Sequence, residues 1–481
     1  MKPGNRKRKF RIFLWGFAIL LGFAAYEAIS LQIKSIDRLY KKYNVHADYN
    51  YSFDNPGVTV FKVPIHGNRV QLPQTNAPWD TGFLKVHIES DLVGNLKEPF
   101  MEIASGSLIQ RQYFERGASG ARYLNLSNFA HIGGGTGIEI SLSGHHIDLK
   151  GPEAELLLFR NDPVGDENIL IVAPHPDDAE IAAFGLYSQK NVYIVTVTAG
   201  DAGEEYILRN RKYPDDTRNS ILKGRLRVWD SIATPIWGGV SPLRVVNLGY
   251  FDGMLKGMYE NKSADIPHKS IGTTDLSMFR RYNLSDLIPE KSKTSNWGNL
   301  VYDLAHILKK IHPKVIVTPH FYLDGHNDHQ FSTIALFEAL KIARLKSGKI
   351  YLYDNHHVLT DYFPFGPAHS LISLPPWFDN SLKTRSVYSL GLSSDQQMEK
   401  LFALDAHHDL RPVPVINDYS FPWLIRKIKF QFLDFYEIYI LHKDYSYVRR
   451  AIRSNELFFI LTFEDIGVFE KEFLKHSAQP K

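Results

Sequence analysis

Histidine and aspartate side chains follow two apolar runs of this chain, at the points where β-strands would end. The first group comes after the run at 169–173 and consists of His175, Asp177 and Asp178. The second comes after the run at 315–319 and consists of Asp324, His326, Asp328 and His329. Reacting groups of open α/β sheets gather at the carboxyl ends of strands, and imidazole with carboxylate is a donor set that zinc accepts. The two groups therefore predict a mixed nitrogen/oxygen metal site.

The composition limits which chemistry is open to such a site. The chain has 481 residues and no cysteine, so thiolate ligands, disulfides and a cysteine nucleophile are excluded. A net charge of +4, with basic residues clustered only at the N-terminus, gives no reason to expect a nucleic acid partner. At this length we expect two folded domains, and any metal must be held by histidine and carboxylate.

The two groups resemble the signatures of the LmbE-like/PIG-L family of zinc-dependent N-deacetylases. The first reads His175-Pro-Asp-Asp178, with Glu180 displaced one place by an alanine, and the second reads His326-Asn-Asp-His329, with Asn where Pro is common. The resemblance covers residues 168–411. It implies that His175, Asp178 and His329 hold Zn²⁺, that Asp177 is the general base, and that His326 is the acid or stabilises the oxyanion.

Elementary chemistry agrees with those roles, although a plainer interpretation exists for each residue. Three protein ligands leave a zinc position open for water, and a carboxylate beside a ligand can take a proton from it. Alternatively, Asp177 and Asp178 only cap the following helix. We expect Asp328 either to cap a helix or to hydrogen-bond a metal ligand and so fix its orientation. Glu180 is also assigned to the residues that support the metal ligands.

Three further residues are candidate substrate contacts. Asp201 lies in a glycine-containing loop that resembles a family loop beside the metal, and the alternative is a simple turn. The family commonly carries Arg-x-x-Glu on the next helix, with the arginine contacting the substrate. Arg218 is the candidate for that arginine here, and the alternative is that it is an ordinary solvent-exposed helix residue. His407 ends a lysine-containing helix that resembles one in the family. The alternative is that the helix dipole alone favours a histidine at this C-terminal position.

The N-terminus predicts membrane attachment. Residues 1–11 are basic and cytoplasmic, residues 12–30 form a transmembrane signal-anchor, and residues 31–44 form a stalk. A cleaved signal peptide is the alternative. The charge bias places the rest of the chain outside the inner (cytoplasmic) membrane, facing the periplasm or cell exterior.

Two domains are expected after the stalk. Residues 45–160 alternate in short segments, which is typical of an all-β sandwich; its role is either an accessory carbohydrate-binding one or that of a spacer. Residues 161–481 alternate strands with helices, and the strands are expected at 168–174, 192–198, 244–249, 315–319 and 349–354. They predict a Rossmann-like α/β fold, a mostly parallel sheet with helices on both faces. Residues 252–296 are expected to form a lid or insertion over the site.

Together these features predict a membrane-anchored zinc hydrolase that removes the acetyl group from an N-acetylated amino sugar of an envelope glycan or glycolipid. The alternatives are another zinc amide or ester hydrolase on the same scaffold and a glycan-binding envelope protein without activity. The apolar and cationic stretch 421–436 either packs on the α/β domain or lies at the membrane surface.

Overall fold

The computed structural model describes residues 15–17, 22, 41–53, 57–75, 78–130, 137–161, 164–165, 167–203, 217–289, 292–379, 382–410 and 447–469. The predicted anchor at 12–30 lies almost entirely outside these residues, as does the stretch 421–436. Among the described residues, no helix is both long enough and apolar enough to cross a membrane. The anchor therefore stays a prediction.

The described residues of the N-terminal part form nine strands and one short 3-10 helix. The strands are β1 (Ser52–Phe53), β2 (Val58–His66), β3 (Arg69–Gln71), β4 (Thr81–Ser90), β5 (Phe100–Ser105), β6 (Leu108–Tyr113), β7 (Ser119–Asn125), β8 (Glu139–His145) and β9 (Ile147–Phe159). Strands β2 to β9 form one antiparallel sheet in the order β6-β5-β8-β3-β2-β9-β4-β7.

The structure has two strand layers around one core, as in the expected sandwich, but its eight strands are continuous. Strand β2 pairs with β9 along residues 58–64 and with β3 at residues 65–66, so this one strand belongs to both halves of the sheet. Apolar side chains of the two halves, such as Leu84 and Leu142, share one buried core. The sheet therefore folds over itself, and short alternating segments cannot reveal that one long strand joins the halves.

The second part alternates strands and helices. Its elements are β10 (Ile169–Ala173), α1 (Asp178–Tyr187), β11 (Val192–Thr198), α2 (Thr217–Trp237), β12 (Val245–Tyr250), α3 (Leu255–Glu260), α4 (Ser277–Arg280), α5 (Trp297–Ile311), β13 (Val315–Pro319), α6 (Asn327–Ala343), β14 (Lys349–Tyr353), β15 (Lys383–Thr384), β16 (Ser386–Gly391), α7 (Ser394–Ala406), α8 (Tyr447–Ala451) and β17 (Asn455–Thr462).

Seven of these strands form a mixed sheet in the order β12-β11-β10-β13-β14-β17-β16. The first five are parallel, as predicted, whereas β17 runs antiparallel to both β14 and β16. Every residue of β10 and β13 is buried, which explains their unbroken apolar sequences. The prediction of a mostly parallel sheet is thus correct for five strands, and two antiparallel strands complete the edge.

The strand order places the site. The chain passes from β10 to β11 on one side, while β13 lies on the other side of β10, so the direction of winding reverses between β10 and β13. Ligands of open α/β sheets bind at the carboxyl ends of strands at such a reversal. Because parallel crossovers are right-handed, α1 and α2 cover one face of the sheet and α5 and α6 the other.

The folded-over β-sheet packs directly on the α/β part. Strand β1 pairs in parallel with β15. The Asn125 amide donates to the Ile372 carbonyl at 2.7 Å, and the Ser373 hydroxyl donates to the Tyr123 carbonyl at 2.6 Å. These bonds hold the long loop that follows β14. The β-sheet is therefore attached to the loop beside the predicted site, rather than held away from it.

Candidate metal centre

Three donor atoms of the predicted ligand set converge on one point. His175 Nδ1 lies 3.1 Å from His329 Nε2 and 3.3 Å from Asp178 Oδ2, and His329 Nε2 lies 3.1 Å from the same carboxylate oxygen. Nitrogen and oxygen donors around a tetrahedral zinc ion, each about 2.0 Å from the metal, would stand about 3.3 Å apart. The triangle therefore has the dimensions of three corners of a zinc tetrahedron.

Carboxylates behind the two histidines fix which ring nitrogen faces that point. His329 Nδ1 is 2.8 Å from Asp324 Oδ2, so it carries the proton and leaves the Nε2 lone pair free. His175 Nε2 faces Asp252 Oδ1 at 3.3 Å and Asp328 Oδ2 at 3.4 Å, which leaves its Nδ1 lone pair free in the same way. Asp328 therefore orients the candidate ligand His175, one of the two roles expected for it.

Asp178 is oriented as closely as the histidines. Its Oδ1 accepts a hydrogen bond from the Asn355 amide at 2.7 Å, and its Oδ2 faces the common point. Although burial disfavours a charged imidazole, the carboxylates of Asp178 and Asp324 raise the pKa of His329 to about 10. The cluster thus attracts positive charge, and its donor set and orientation fit a zinc ion.

Asp177 stands beside the triangle without belonging to it. Its backbone has φ 137°, a conformation that L-residues rarely adopt and that recurs at active sites. Burial raises the pKa of Asp177 to about 6, although the Arg227 guanidinium, 3.1 Å from Oδ2, favours the charged form. A buried carboxylate with a pKa near neutrality suits a general base.

Arg227 is a residue of the site that sequence reasoning missed. Besides Asp177, it bonds the carbonyls of Pro176 and Gly200 and pairs with Asp409 at 3.0 Å. The sequence did contain a signal, because Arg227-Val-Trp-Asp230 is an Arg-x-x-acid pattern with Asp in place of Glu. Arg218, by contrast, is exposed at the start of α2; among the described residues it makes no hydrogen bond or ion pair with the cluster.

Two more histidines border the triangle. His326 precedes α6, accepts the Asp328 backbone N–H, and its ring centroid lies 4.8 Å from that of His175. Burial and the neighbouring His175 and His329 lower the pKa of His326 to about 4. His356 had no predicted role; its ring lies 5.1 Å from that of His329.

Donor atoms within 4.8 Å of one another occur in three overlapping groups among the described residues. They are His175, His326 and His329; Asp178, His329 and His356; and His175, Asp252 and Asp328. Each group shares His175 or His329 with the predicted triangle. The described cluster therefore centres on those two histidines.

The remaining predicted residues lie deeper. Glu180 and His407 are buried and pair with each other at 3.1 Å. Asp201 is also buried; it accepts the Asp252 backbone N–H at 3.0 Å and lies 2.6 Å from His268 of the 252–296 region. His407 and Asp201 thus hold neighbouring parts of the site in place, and their predicted contact with substrate stays a prediction.

Comparison with known proteins gives a family for part of the chain. Residues 170–340 match the model of the PIG-L family, described as GlcNAc-PI de-N-acetylase, and this segment contains both motifs. A search of curated proteins found no match.

Solved structures show looser similarity. The zinc-inhibited form of teicoplanin deacetylase is 16% identical, with a TM-score of 0.33, covering 61% of this chain and 98% of its own. The deacetylase of an antimicrobial-reagent pseudoaglycone is 15% identical, with a TM-score of 0.32, covering 62% and 98%. GalB, the 4-carboxy-2-hydroxymuconate hydratase of Pseudomonas putida KT2440, is 11% identical, with a TM-score of 0.32, covering 62% and 95%. Superpositions this loose support no functional argument, so the finding that stands is the PIG-L match over residues 170–340.

Proposed function

We propose that this protein is a zinc-dependent hydrolase that removes the N-acetyl group from an N-acetylated amino sugar. The observation that carries the proposal is the triangle of His175, Asp178 and His329 donors with Asp177 beside it. The PIG-L match supports the deacetylase class, since it covers the same residues.

His175, Asp178 and His329 would hold the zinc ion, which supplies Lewis-acid activation of water and of a carbonyl oxygen. Asp177 takes a proton from the attacking water while Arg227 holds its carboxylate in place.

His326 lies at the edge of the triangle, where it can stabilise the oxyanion or serve the departing amine. The water oxygen forms the new bond to the acetyl carbon, the carbon–nitrogen bond breaks, and the proton passes to the amine. The products are acetate and a free amino sugar.

An envelope glycan or glycolipid is the proposed substrate. The amino-sugar class follows from the description of the matched family, and the envelope location follows from the basic and apolar N-terminus. The enzyme would then act outside the inner membrane to which residues 12–30 hold it.

The test is acetate release from N-acetylhexosamine glycans by the full chain and by two variants. His329→Ala should lose both zinc and activity. His306→Ala on α5, which touches none of the donor atoms, should keep both. Acetate release that survives in His329→Ala, or hydrolysis of O-acetyl esters alone, would reject the N-deacetylase assignment.

A further inference from the structure

Six large apolar side chains are exposed together on α2 and α7. The set, called the α2/α7 face below, consists of Leu222, Trp229, Ile236, Trp237, Met398 and Phe402. Residues 222, 229 and 236 recur every seven positions and so share one side of α2. The Trp237 and Phe402 rings are 5.9 Å apart and join the two helices. Trp229, Trp237 and Phe402 are each at least half exposed. Such a contiguous apolar surface marks a binding partner.

The same helix also reaches the metal centre. Arg227, two residues before Trp229, points inward and holds Asp177 at 3.1 Å, while Trp229 is exposed on the outer side. An α-helix with its side chains is about 10 Å across. Whatever covers the α2/α7 face therefore lies about one helix diameter from the general base.

Three described positions flank the two segments, 204–216 and 411–446, that adjoin α2 and α7 in the sequence. His408, at the end of α7, pairs with Asp230 of α2 at 2.8 Å, two residues before the described segment ends at residue 410. Residues 204–216 lead directly into α2. The chain returns at α8, where Arg450 pairs with Asp361 at 2.7 Å. In the sequence, the apolar and cationic stretch 421–436 falls between these two described points.

We propose that the α2/α7 face rests in the interfacial layer of a lipid bilayer. Tryptophan is enriched at that layer, and helices that lie on membranes bury an apolar side with aromatic residues. The exposed charged residues of the two helices are Asp395, Glu399 and Asp405 against Arg218, a balance that gives no attraction to anionic lipid, so the proposed contact is apolar. Binding should accordingly persist in high salt, which screens charge pairs only. A lipid-borne substrate would then meet the site at the membrane surface.

The absence of cysteine makes a site-specific test direct. Single-cysteine variants Trp229→Cys and Phe402→Cys of the full chain would carry a bimane label. They would be mixed with vesicles of phosphatidylcholine and phosphatidylglycerol containing spin-labelled lipid. Tyr302→Cys and Ile342→Cys are matched controls, because both residues are about half exposed on α5 and α6, across the sheet. The first two labels should be quenched severalfold more than the controls, in low and in high salt.

Three results would overturn the proposal. Labels at 229 and 402 that are shielded without vesicles would show that residues 411–446 or a second copy cover the face. Quenching equal to that of the controls would place the face away from lipid. Failure of the full chain to bind vesicles would do the same. Met398→Cys replaces Trp229→Cys if that variant does not fold. The measurement does not involve hydrolysis, so it stands or fails separately from the proposed activity.

Discussion

Replacing Asp324 with Asn should weaken zinc binding while leaving the fold intact. Asp324 is fully buried, and its Oδ2 accepts from His329 Nδ1 at 2.8 Å and from the backbone N–H groups of Asn355 and His356 at 3.1 and 3.2 Å. Its Oδ1 accepts the His326 N–H at 3.0 Å. Alanine would leave these four N–H groups without their acceptor, at about 1–3 kcal/mol for each one that water cannot reach. Asparagine keeps one carbonyl oxygen for them.

The carbonyl oxygen of that asparagine is neutral and can replace only one of the two carboxylate oxygens, and the amide nitrogen, itself a donor, would face an N–H group at the other position. His329 Nδ1–H would therefore keep at best a neutral acceptor, and the buried negative charge that favours a metal cation would be lost. Loss of such a charged partner lowers metal affinity about 10–100-fold, which corresponds to about 1.4–2.8 kcal/mol. Competition with a chromophoric chelator would measure the affinity, and Asp286→Asn, at an exposed pair with Lys310, is the control. An Asp324→Asn protein that binds zinc as tightly as the parent would refute this account of the site.

Three further substitutions test other parts of the structure. Asp177→Asn should keep zinc and lower the rate by about two to four orders of magnitude, the usual contribution of a general base; loss of metal would mean that Asp177 is a ligand. Gly200→Ala should cost about 1–3 kcal/mol in unfolding free energy and slow the reaction, because φ is +65° and the new Cβ would collide with Arg227. Gly257→Ala, with open space around its Cα, should do neither. Asn125→Ala should lower both the melting temperature and the rate, since it releases the loop after β14; an unchanged rate would show that the β-sheet does not support the site.

The local parts of the site were predictable from the sequence. His175 and Asp178 follow β10 and His329 follows β13, so two short motifs and the rule for strand ends were sufficient. The same holds for β10 to β14, whose apolar runs match the structure to within about a residue. Strands β16 and β17 were missed, because their antiparallel edge pairing leaves no crossover pattern in the sequence.

The rest depends on contacts between distant residues. Asp252 orients His175 from a loop 77 positions away in the sequence. Asn355 orients Asp178 from 177 positions away. No spacing rule connects positions so far apart. Arg218, which the sequence suggested as a substrate contact or a solvated residue, is exposed, whereas Arg227 reaches Asp177. Nine residues are two and a half helical turns, so the two side chains lie on opposite sides of α2.

Zinc titration of the metal-free full chain tests the central claim most directly. Acetate release from an N-acetylhexosamine glycan should rise linearly with added zinc and level off at about one equivalent, the stoichiometry of a single three-ligand site. Asp178→Ala should show no such rise. Full acetate release from chelator-treated protein, or a rise in the Asp178→Ala variant equal to that of the parent, would contradict the assignment of His175, Asp178 and His329 as the ligands of a catalytic zinc ion.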